Sequence, residues 1–204
     1  MSGSKENMSA TEWVTEPKDK DDAETREVYA HAGLALYLAQ CLEHGIVNSL
    51  VLAQMEELHA KLPAARGRIT DYKADMDRLW NEEFQKTFGQ LINSLSSTGI
   101  KIPRSLESDL RESLRLRNQL VHHYFRDRAD SWFSSDGRRS MAEELKAMRE
   151  HFVKTDRTLH EVTSNIRAHF GMTDEKIDFI AELMKIGTSE EDIERAIAKA
   201  KVCK

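Results

Sequence analysis

The sequence predicts an all-α protein, an up-and-down four-helix bundle followed by a C-terminal helical hairpin. Three observations favour this fold class. Only 3 prolines and 9 glycines interrupt 204 residues, which leaves few signals for the short turns of a β-protein. Apolar residues recur every three or four positions over long stretches, the spacing of one helix face. Charged residues make up 32 % of the chain, a high proportion for a compact sheet protein.

The predicted organisation has three parts. Residues 1–21 are polar and contain little that could be buried, so we expect a disordered N-terminal segment. This segment lacks the basic start and apolar run of a secretion signal. The helical bundle is expected over residues 22–170 and the helical hairpin over residues 171–204.

The first helix is predicted from Ala23 to Leu62. This stretch contains no proline and carries apolar residues at helical spacing, and Pro63 closes it. Gly33 and Gly45 lie inside the helix, where glycine is less stable than alanine. They therefore indicate either close helix packing or a break.

The second and third helices follow. The second is predicted to start after Thr70, which can act as its N-cap, and to bend near Asn81. After the loop SSTGIKIP, Ser105 opens a third helix from about Leu106 to Asp130. Its predicted apolar stripe consists of Leu106, Leu110, Leu114, Val121 and Phe125, with Arg117 in the slot between Leu114 and Val121.

The fourth helix is predicted to begin after the loop SSDGRR. Ser140 and Glu143 form a capping-box pattern there, and Gly171 ends the helix. Two shorter helices follow, TDEKIDFIAELMKI and SEEDIERAIAKAK, hinged at Gly187. We interpret this hairpin as an appendage for packing or oligomerisation rather than as a small interaction module.

Composition limits the classes of function. The net charge of −5 argues against a protein covered with nucleic acid, although a local basic patch remains compatible with it. Cys41 and Cys203 are far apart and form no CxxC pair, so neither a disulfide framework nor a zinc knuckle is expected. A cytoplasmic location is the simplest expectation. The most apolar stretch, residues 30–53, contains enough polar residues to argue against a membrane span.

No motif for a metal or an organic cofactor is expected to be functional. Glu56 and His59 form one Glu-x-x-His step, but a di-iron bundle needs a second copy and two further glutamates. Neighbouring histidines on a helix point about 100° apart and cannot easily share one ion. The chain has no GxGxxG, no phosphate-binding loop and no GxSxG elbow. We therefore expect chemistry that needs neither metal nor cofactor.

The segment 115–128, RLRNQLVHHYFRDR, carries polar residues through a helix that needs apolar ones. On a continuous helix His122 lies about 140° and roughly 7.5 Å from Arg117, and Tyr124 lies within about 20° of Arg117. One broad face would then present Arg117, Asn118, His122 and Tyr124. Arg117 interrupts the apolar stripe itself, and burying a guanidinium alone is costly, so it must find partners.

Basic residues concentrate around this helix. Residues 101–140 contain nine Lys/Arg and six Asp/Glu, a net charge of +3, whereas the whole chain carries −5. All but one of these cations are arginines, the side chain best suited to forked phosphate contacts. We take Arg111, Arg115, Arg126 and Arg128 as candidate RNA contacts.

The run Arg117-Asn118-Gln119-Leu120-Val121-His122 resembles the signature of the HEPN superfamily. Members are small all-α bundles in which an arginine, followed by a polar residue, precedes a histidine by four to six intervening positions. The continuation His122-His123-Tyr124 is similar to the toxin of HEPN/nucleotidyltransferase toxin–antitoxin pairs. In architecture the resemblance extends over about residues 23–170, but its specific residues are only 117–124.

The resemblance implies metal-independent RNA cleavage by a homodimer in which two motif helices meet across a symmetric cleft. Histidine would accept or position the ribose 2′-hydroxyl proton, and Arg117 would stabilise the pentacoordinate phosphate. Asn118 would orient the histidine or hold a phosphate oxygen. His123 offers a second allowed spacing, although His122 is favoured because it lies nearer the arginine face. The products would carry 2′,3′-cyclic phosphate ends.

The resemblance also implies partners and alternatives. A nucleotidyltransferase-type antitoxin would be a partner, and it would modify Tyr124. A role as a toxin or phage-defence effector follows from the same resemblance. Many superfamily members keep the bundle without the activity, so a non-catalytic dimeric module that binds RNA or protein is the second hypothesis. An unrelated helical adaptor is the third.

Overall fold

In the computed structural model, which describes residues 18–61, 69–185 and 189, every regular element is a helix. The predicted all-α class is confirmed over these ranges. The helices are α1 (Lys20–Lys61), α2 (Ile69–Phe84), α3 (Phe88–Ser97), α4 (Arg104–His122), α5 (Tyr124–Asp127), α6 (Ala129–Trp132), α7 (Ser135–Val162), α8 (Ser164–His169) and α9 (Asp174–Lys185). The second helix of the predicted C-terminal hairpin lies outside the described residues.

Packing divides the chain into two compact units. Among the described residues, the first contains 18–42 and 111–155, and the second contains 43–61, 69–110, 156–185 and 189. Each of the helices α1, α4 and α7 contributes residues to both units. The bundle over 22–170 with a hairpin over 171–204 stays a prediction.

In the first unit, α1 presents a narrow inner face. Val28, Ala35 and Ala39 are fully buried and Ala32 is nearly so. Small side chains at this spacing let a neighbouring helix approach closely. Alanine also has the highest helix propensity, so these residues stabilise α1. Tyr29 and Tyr37, in the same part of α1, are exposed.

A cluster of charged groups joins the beginnings of α1 and α7. Glu24 accepts a hydrogen bond from the Ser135 hydroxyl at 2.6 Å and pairs with the buried Arg138 at 3.0 Å. The Ser135 hydrogen bond and the two neighbouring arginines hold the pKa of the Glu24 carboxyl below its usual range. Arg138 also donates to the Trp132 carbonyl, so α6 is tied to the same cluster.

Side-chain contacts give the helix directions within this unit. Glu24 pairs with Arg138, and further along both helices His31 contacts Arg149, so α1 and α7 run parallel. Tyr124 instead contacts Met141 while the earlier Ser113 contacts His151, so α4 runs antiparallel to α7. A four-helix up-and-down bundle would make its first and last helices antiparallel, and these contacts do not show that order. In addition, the second predicted helix is divided into α2 and α3, so the chain has one more helix than a four-helix bundle at this point.

The second unit has its own apolar core. Its largest fully buried side chains are Ile46, Leu50, Met55, Leu91, Ile92, Leu95, Leu106 and Leu110. Thr87 starts α3 with a capping box, in which its hydroxyl accepts a hydrogen bond from the Gln90 backbone N–H and the Gln90 side chain accepts one from the Thr87 backbone N–H.

The predicted close packing at Gly45 is confirmed, since a Cβ there would lie 3.0 Å from Asp156 Oδ1. Gly33 has open space instead.

The predicted stop at Gly171 is confirmed. Its φ of +71° is the left-handed conformation that glycine adopts without steric cost. The Gly171 amide donates to the Ala168 carbonyl and the Met172 amide to the Arg167 carbonyl, which is the Schellman arrangement. It ends the short helix α8. The prediction of one continuous fourth helix up to Gly171 is wrong, because α7 ends at Val162 and the chain is interrupted at Thr163.

Several predicted helix boundaries are wrong. The second predicted helix is interrupted at residues 85–87 rather than bent near Asn81, because the Thr87 capping box starts a new helix. Thr70 lies inside α2 and Ser140 inside α7, so neither is at the first residue of its helix. The third predicted helix, expected to reach Asp130, ends at His122.

The beginning of α1 also differs from the prediction. The helix starts at Lys20, inside the segment expected to be disordered. The Asp19 carboxylate accepts a hydrogen bond from the Asp22 amide at 2.8 Å and so caps the first turn. Residues 1–17 lie outside the described residues.

Among the helices that the structure describes, one, over Lys20–Leu58, is long and apolar enough to cross a membrane, as judged by length and composition alone. In its most apolar window 44 % of the residues are buried against the rest of the protein. The core helix of a soluble protein meets the same test, so this helix is compatible with a soluble protein.

Gly137, in the first turn of α7, provides a test of the packing in the first unit. A Cβ there would overlap the Ser131 carbonyl and lie 2.7 Å from its carbon, so we expect Gly137→Ala to lower the free energy of unfolding by about 2 kcal/mol or more. Gly33→Ala is the matched control, because nothing lies within 4 Å of its Cβ position. It should raise the free energy of unfolding by up to about 1 kcal/mol. Urea denaturation measures both, and equal effects of the two substitutions would contradict this packing.

Candidate active site

Buried side chains along one side of α4 set the rotation of the helix. Ser113 and Leu120 are buried in the first unit, and Tyr124 is buried immediately after the helix. Arg117 falls between them at helical spacing and is half-buried. Its guanidinium contacts Asn118, with Nη1 donating to Oδ1 at 3.3 Å. Its Nε is buried and has no hydrogen-bond partner among the described residues.

Arg117 differs from its neighbouring arginines. Arg115 pairs with Glu112 at 2.7 Å, Arg126 with Asp127 at 3.0 Å and Arg128 with Glu144 at 2.9 Å. Arg111 is exposed and also has interactions. In contrast to Arg115, Arg126 and Arg128, Arg117 has an uncharged partner and no carboxylate partner in the described part of the chain.

These pairs weaken the predicted basic patch. Arg138 and Arg139, also counted in the basic region, contact the Glu24 carboxylate. A paired arginine contributes less positive potential to an approaching polyanion than a free one. The positive charge of the segment is thus largely neutralised locally, and the sequence could not reveal this because Glu24 and Glu144 are distant in the chain.

The two motif histidines have different surroundings. His122 is the last residue of α4 and is exposed, with its ring centroid 6.0 Å from that of His123. His123 occupies the turn before α5, and its Nδ1 lies 3.1 Å from an Arg126 nitrogen. No hydrogen bond engages the His122 ring among the described residues. His122 is thus the histidine whose ring nitrogens are available to a ligand.

Tyr124 is buried rather than accessible to a modifying partner. It follows Arg117 and Leu120 at helical spacing, on the side of α4 that packs against α7, and α4 ends at His122, just before it. The Tyr124 side chain is 1 % exposed, and its hydroxyl donates to the Met141 carbonyl at 2.9 Å and lies 3.3 Å from Glu144. Burial, together with the Glu144 charge, raises the pKa of the Tyr124 phenol well above its usual range. The hydroxyl is therefore not accessible for modification in this conformation.

Near the end of α4 the predicted apolar stripe is wrong, because the chain buries the residues that come one position earlier in the sequence. Val121 and Phe125 are exposed, and Leu120 and Tyr124 are the buried residues. From the sequence, either Leu120 and Tyr124 or Val121 and Phe125 could be the buried pair. The contact between Tyr124 and α7 determines that Leu120 and Tyr124 are buried. Leu106 and Leu110 are buried as predicted.

Two features of the first unit were not predicted. The Ser113 hydroxyl lies 3.0 Å from His151 Nε2, but Ser113 is fully buried and cannot reach a substrate. An aromatic cluster lies on the surface, where Tyr29, Phe125 and Trp132 have ring centroids 5.2 to 6.0 Å apart. Phe133 beside it is 84 % exposed. Tyr29 and Trp132 are far apart in the sequence, so no sequence pattern could predict this cluster.

Within the described side chains, no group of three or more His, Cys, Asp or Glu residues could hold a metal ion. No family model, curated protein or solved structure matches this chain.

Replacing Arg117 tests whether the arginine stabilises the fold. A buried N–H without a partner costs about 1 to 3 kcal/mol, so we expect Arg117→Met to raise the free energy of unfolding by about 1 kcal/mol. Arg115→Met is the matched control and should change it by less than about 0.5 kcal/mol, since Arg115 is exposed. Chemical denaturation measures both. A clear loss of stability in Arg117→Met would show that Arg117 is retained for structure.

Chemical labelling tests the burial of Tyr124. Nitration of the native protein with tetranitromethane should modify Tyr37, whose side chain is 60 % exposed, and spare Tyr124. Mass spectrometry of the digested protein identifies the labelled residues. Labelling in denaturant is the control and should modify both. Equal labelling in the native protein would mean that the segment after His123 opens readily.

Proposed function

We propose that this protein is a metal-independent endoribonuclease of HEPN type that acts as a homodimer. The observation that carries the proposal is the pairing, on one helix, of a guanidinium without a carboxylate and an exposed histidine ring without a hydrogen bond. A phosphate binds where a cation has no competing anion, and a histidine acts as a base where its ring nitrogen is free. The HEPN-like bundle arrangement is part of this proposal.

The roles follow from the chemistry of RNA cleavage. His122 accepts the proton of the ribose 2′-hydroxyl as the 2′-oxygen attacks the adjacent phosphorus. A bond forms between the 2′-oxygen and phosphorus, and the bond from phosphorus to the 5′-oxygen breaks. Arg117 stabilises the extra negative charge on the phosphate, and Asn118 holds the Arg117 guanidinium. The products are a 2′,3′-cyclic phosphate and a 5′-hydroxyl.

A second copy of the chain completes this site. Arg117 and His122 are five residues apart on α4, so their side chains diverge by about 140° around the helix. A single chain therefore does not bring both groups to one phosphate easily. Two motif helices related by a twofold axis would supply the arginine of one copy and the histidine of the other. The second histidine would protonate the leaving 5′-oxygen.

The proposed setting is the cytoplasm, with RNA as substrate and a toxin or phage-defence role. A nucleotidyltransferase-type antitoxin belongs to the same proposal. Because the Tyr124 hydroxyl is buried, such a partner would have to act on a conformation in which the segment after His123 has opened.

A non-catalytic dimeric module that binds RNA or protein is the second candidate. The surface aromatic cluster favours it, because Tyr29, Phe125 and Phe133 are exposed around the half-buried Trp132 and exposed aromatic groups of this kind mark binding surfaces. The carboxylate partners of Arg115, Arg126 and Arg128 also favour it over extensive RNA contact.

An RNA-cleavage assay in EDTA tests the proposal. The wild-type protein should cleave total RNA to 2′,3′-cyclic phosphate ends, and both Arg117→Ala and His122→Ala should reduce the rate by about 100-fold or more. His123→Ala and Arg115→Ala are the matched controls and should retain most of the activity.

The possible outcomes separate the two candidates. Intact RNA in every reaction would contradict the enzyme and favour the binding module. Cleavage that persists in Arg117→Ala and His122→Ala would point to a contaminating nuclease. A monomer by sedimentation at the assay concentration would contradict the two-copy site even where cleavage is seen.

A further inference from the structure

The second unit contains an apolar cavity of about 350 Å³. Its walls are supplied mainly by Val51, Leu52, Met76, Trp80, Leu159 and Ile177. The volume lies within the range of small-molecule pockets, which are mostly apolar and carry a few placed polar groups. The Trp80 indole is already held in position, since its Nε1 donates to Asn48 Oδ1 at 3.1 Å.

Asp156 provides the polar group without a partner. Its carboxyl lines the cavity and is about half buried, and it has no hydrogen bond or ion pair within the described ranges. Burial raises the pKa of this carboxyl, and the nearby His160 opposes that shift. A Cβ at Gly45 would lie 3.0 Å from Asp156 Oδ1, so α1 has no room at this position for a side chain that could pair with the Asp156 carboxyl.

Both basic groups at the cavity contact one carboxylate, although the buried Arg167 Nε has no hydrogen-bond partner among the described residues. Arg167 donates to Asp174 Oδ1 at 3.0 Å, and His160 lies at the same distance from the same oxygen. Asp174 therefore offsets the charge of Arg167. The cavity thus combines apolar walls with one carboxylate, that of Asp156, which has no hydrogen bond or ion pair within the described ranges.

We propose that this cavity binds a small amphiphilic amine whose ammonium group pairs with the Asp156 carboxylate while its apolar body fills the space between α1, α2 and the end of α7. A neutral hydrocarbon would leave the carboxylate desolvated without a partner, which costs free energy. A carboxylate ligand would be repelled. A polyamine would place further charges against the apolar walls. This site is independent of the proposed RNA cleavage.

Three indole compounds of similar size test the proposal by titration calorimetry on the full-length protein. Tryptamine carries an amine, tryptophol a hydroxyl and indole-3-propionate a carboxylate on the same ring. For ligands of this size we expect tryptamine to bind with a Kd on the order of 0.1 to 1 mM. Tryptophol should bind about tenfold more weakly, and indole-3-propionate should not bind measurably.

Substitutions identify the charged partner. Asp156→Asn should weaken tryptamine binding about tenfold and leave tryptophol binding unchanged, because it removes the charge and keeps the shape. Asp178→Asn is the matched control, since Asp178 is exposed and does not line the cavity. Met172→Trp should weaken both ligands, because the half-exposed Met172 lines the cavity and a larger side chain would occupy part of it.

Three results would overturn the proposal. One is the absence of tryptamine binding at about millimolar concentration. The second is equal binding of tryptamine and tryptophol by the wild-type protein. The third is an equal loss of tryptamine affinity in Asp156→Asn and Asp178→Asn, which would indicate a general surface-charge effect. Circular dichroism of each variant ensures that the comparison is made between folded proteins.

Discussion

The burial of Tyr124 against α7 is the constraint on which the candidate active site depends. Its hydroxyl donates to the Met141 carbonyl, and this contact fixes the chain immediately after the end of α4. With Ser113 and Leu120 also buried, α4 can adopt one rotation only. That rotation places Arg117 at the edge of the core and leaves His122 in solvent. The difference in exposure between these two motif residues is thus a result of packing elsewhere in the unit.

Sequence patterns predicted the features that depend on local chemistry. The long proline-free run gave α1, and Gly171 marked a helix end because glycine adopts a positive φ without steric cost. The motif residues Arg117, Asn118 and His122 do lie on one helix, as predicted. These conclusions needed only nearby residues, which is why the sequence was sufficient for them.

The errors occurred where a distant contact decided between local alternatives. Leu120 and Val121 are adjacent and similarly apolar, and so are Tyr124 and Phe125, so periodicity alone could not choose the buried pair. The Met141 carbonyl makes that choice, and it lies 17 residues beyond Tyr124. The predicted basic patch was overestimated for the same reason, because the Glu144 carboxylate that pairs with Arg128 lies 16 residues away in the sequence.

The pairing of Glu24 with Arg138 has a consequence for how this chain can diverge. The two residues are 114 positions apart, and the guanidinium is buried. Loss of the Glu24 carboxylate alone would leave the buried guanidinium with the exposed Asp21 carboxylate and the Trp132 carbonyl as its partners, and that is more costly than replacing both Glu24 and Arg138 by apolar residues. A substitution at position 24 is therefore tolerated mainly when position 138 is substituted as well. In a set of homologues, positions 24 and 138 should change as a correlated pair, whereas Arg117, which has no carboxylate partner, should vary independently of any acidic position in the described chain.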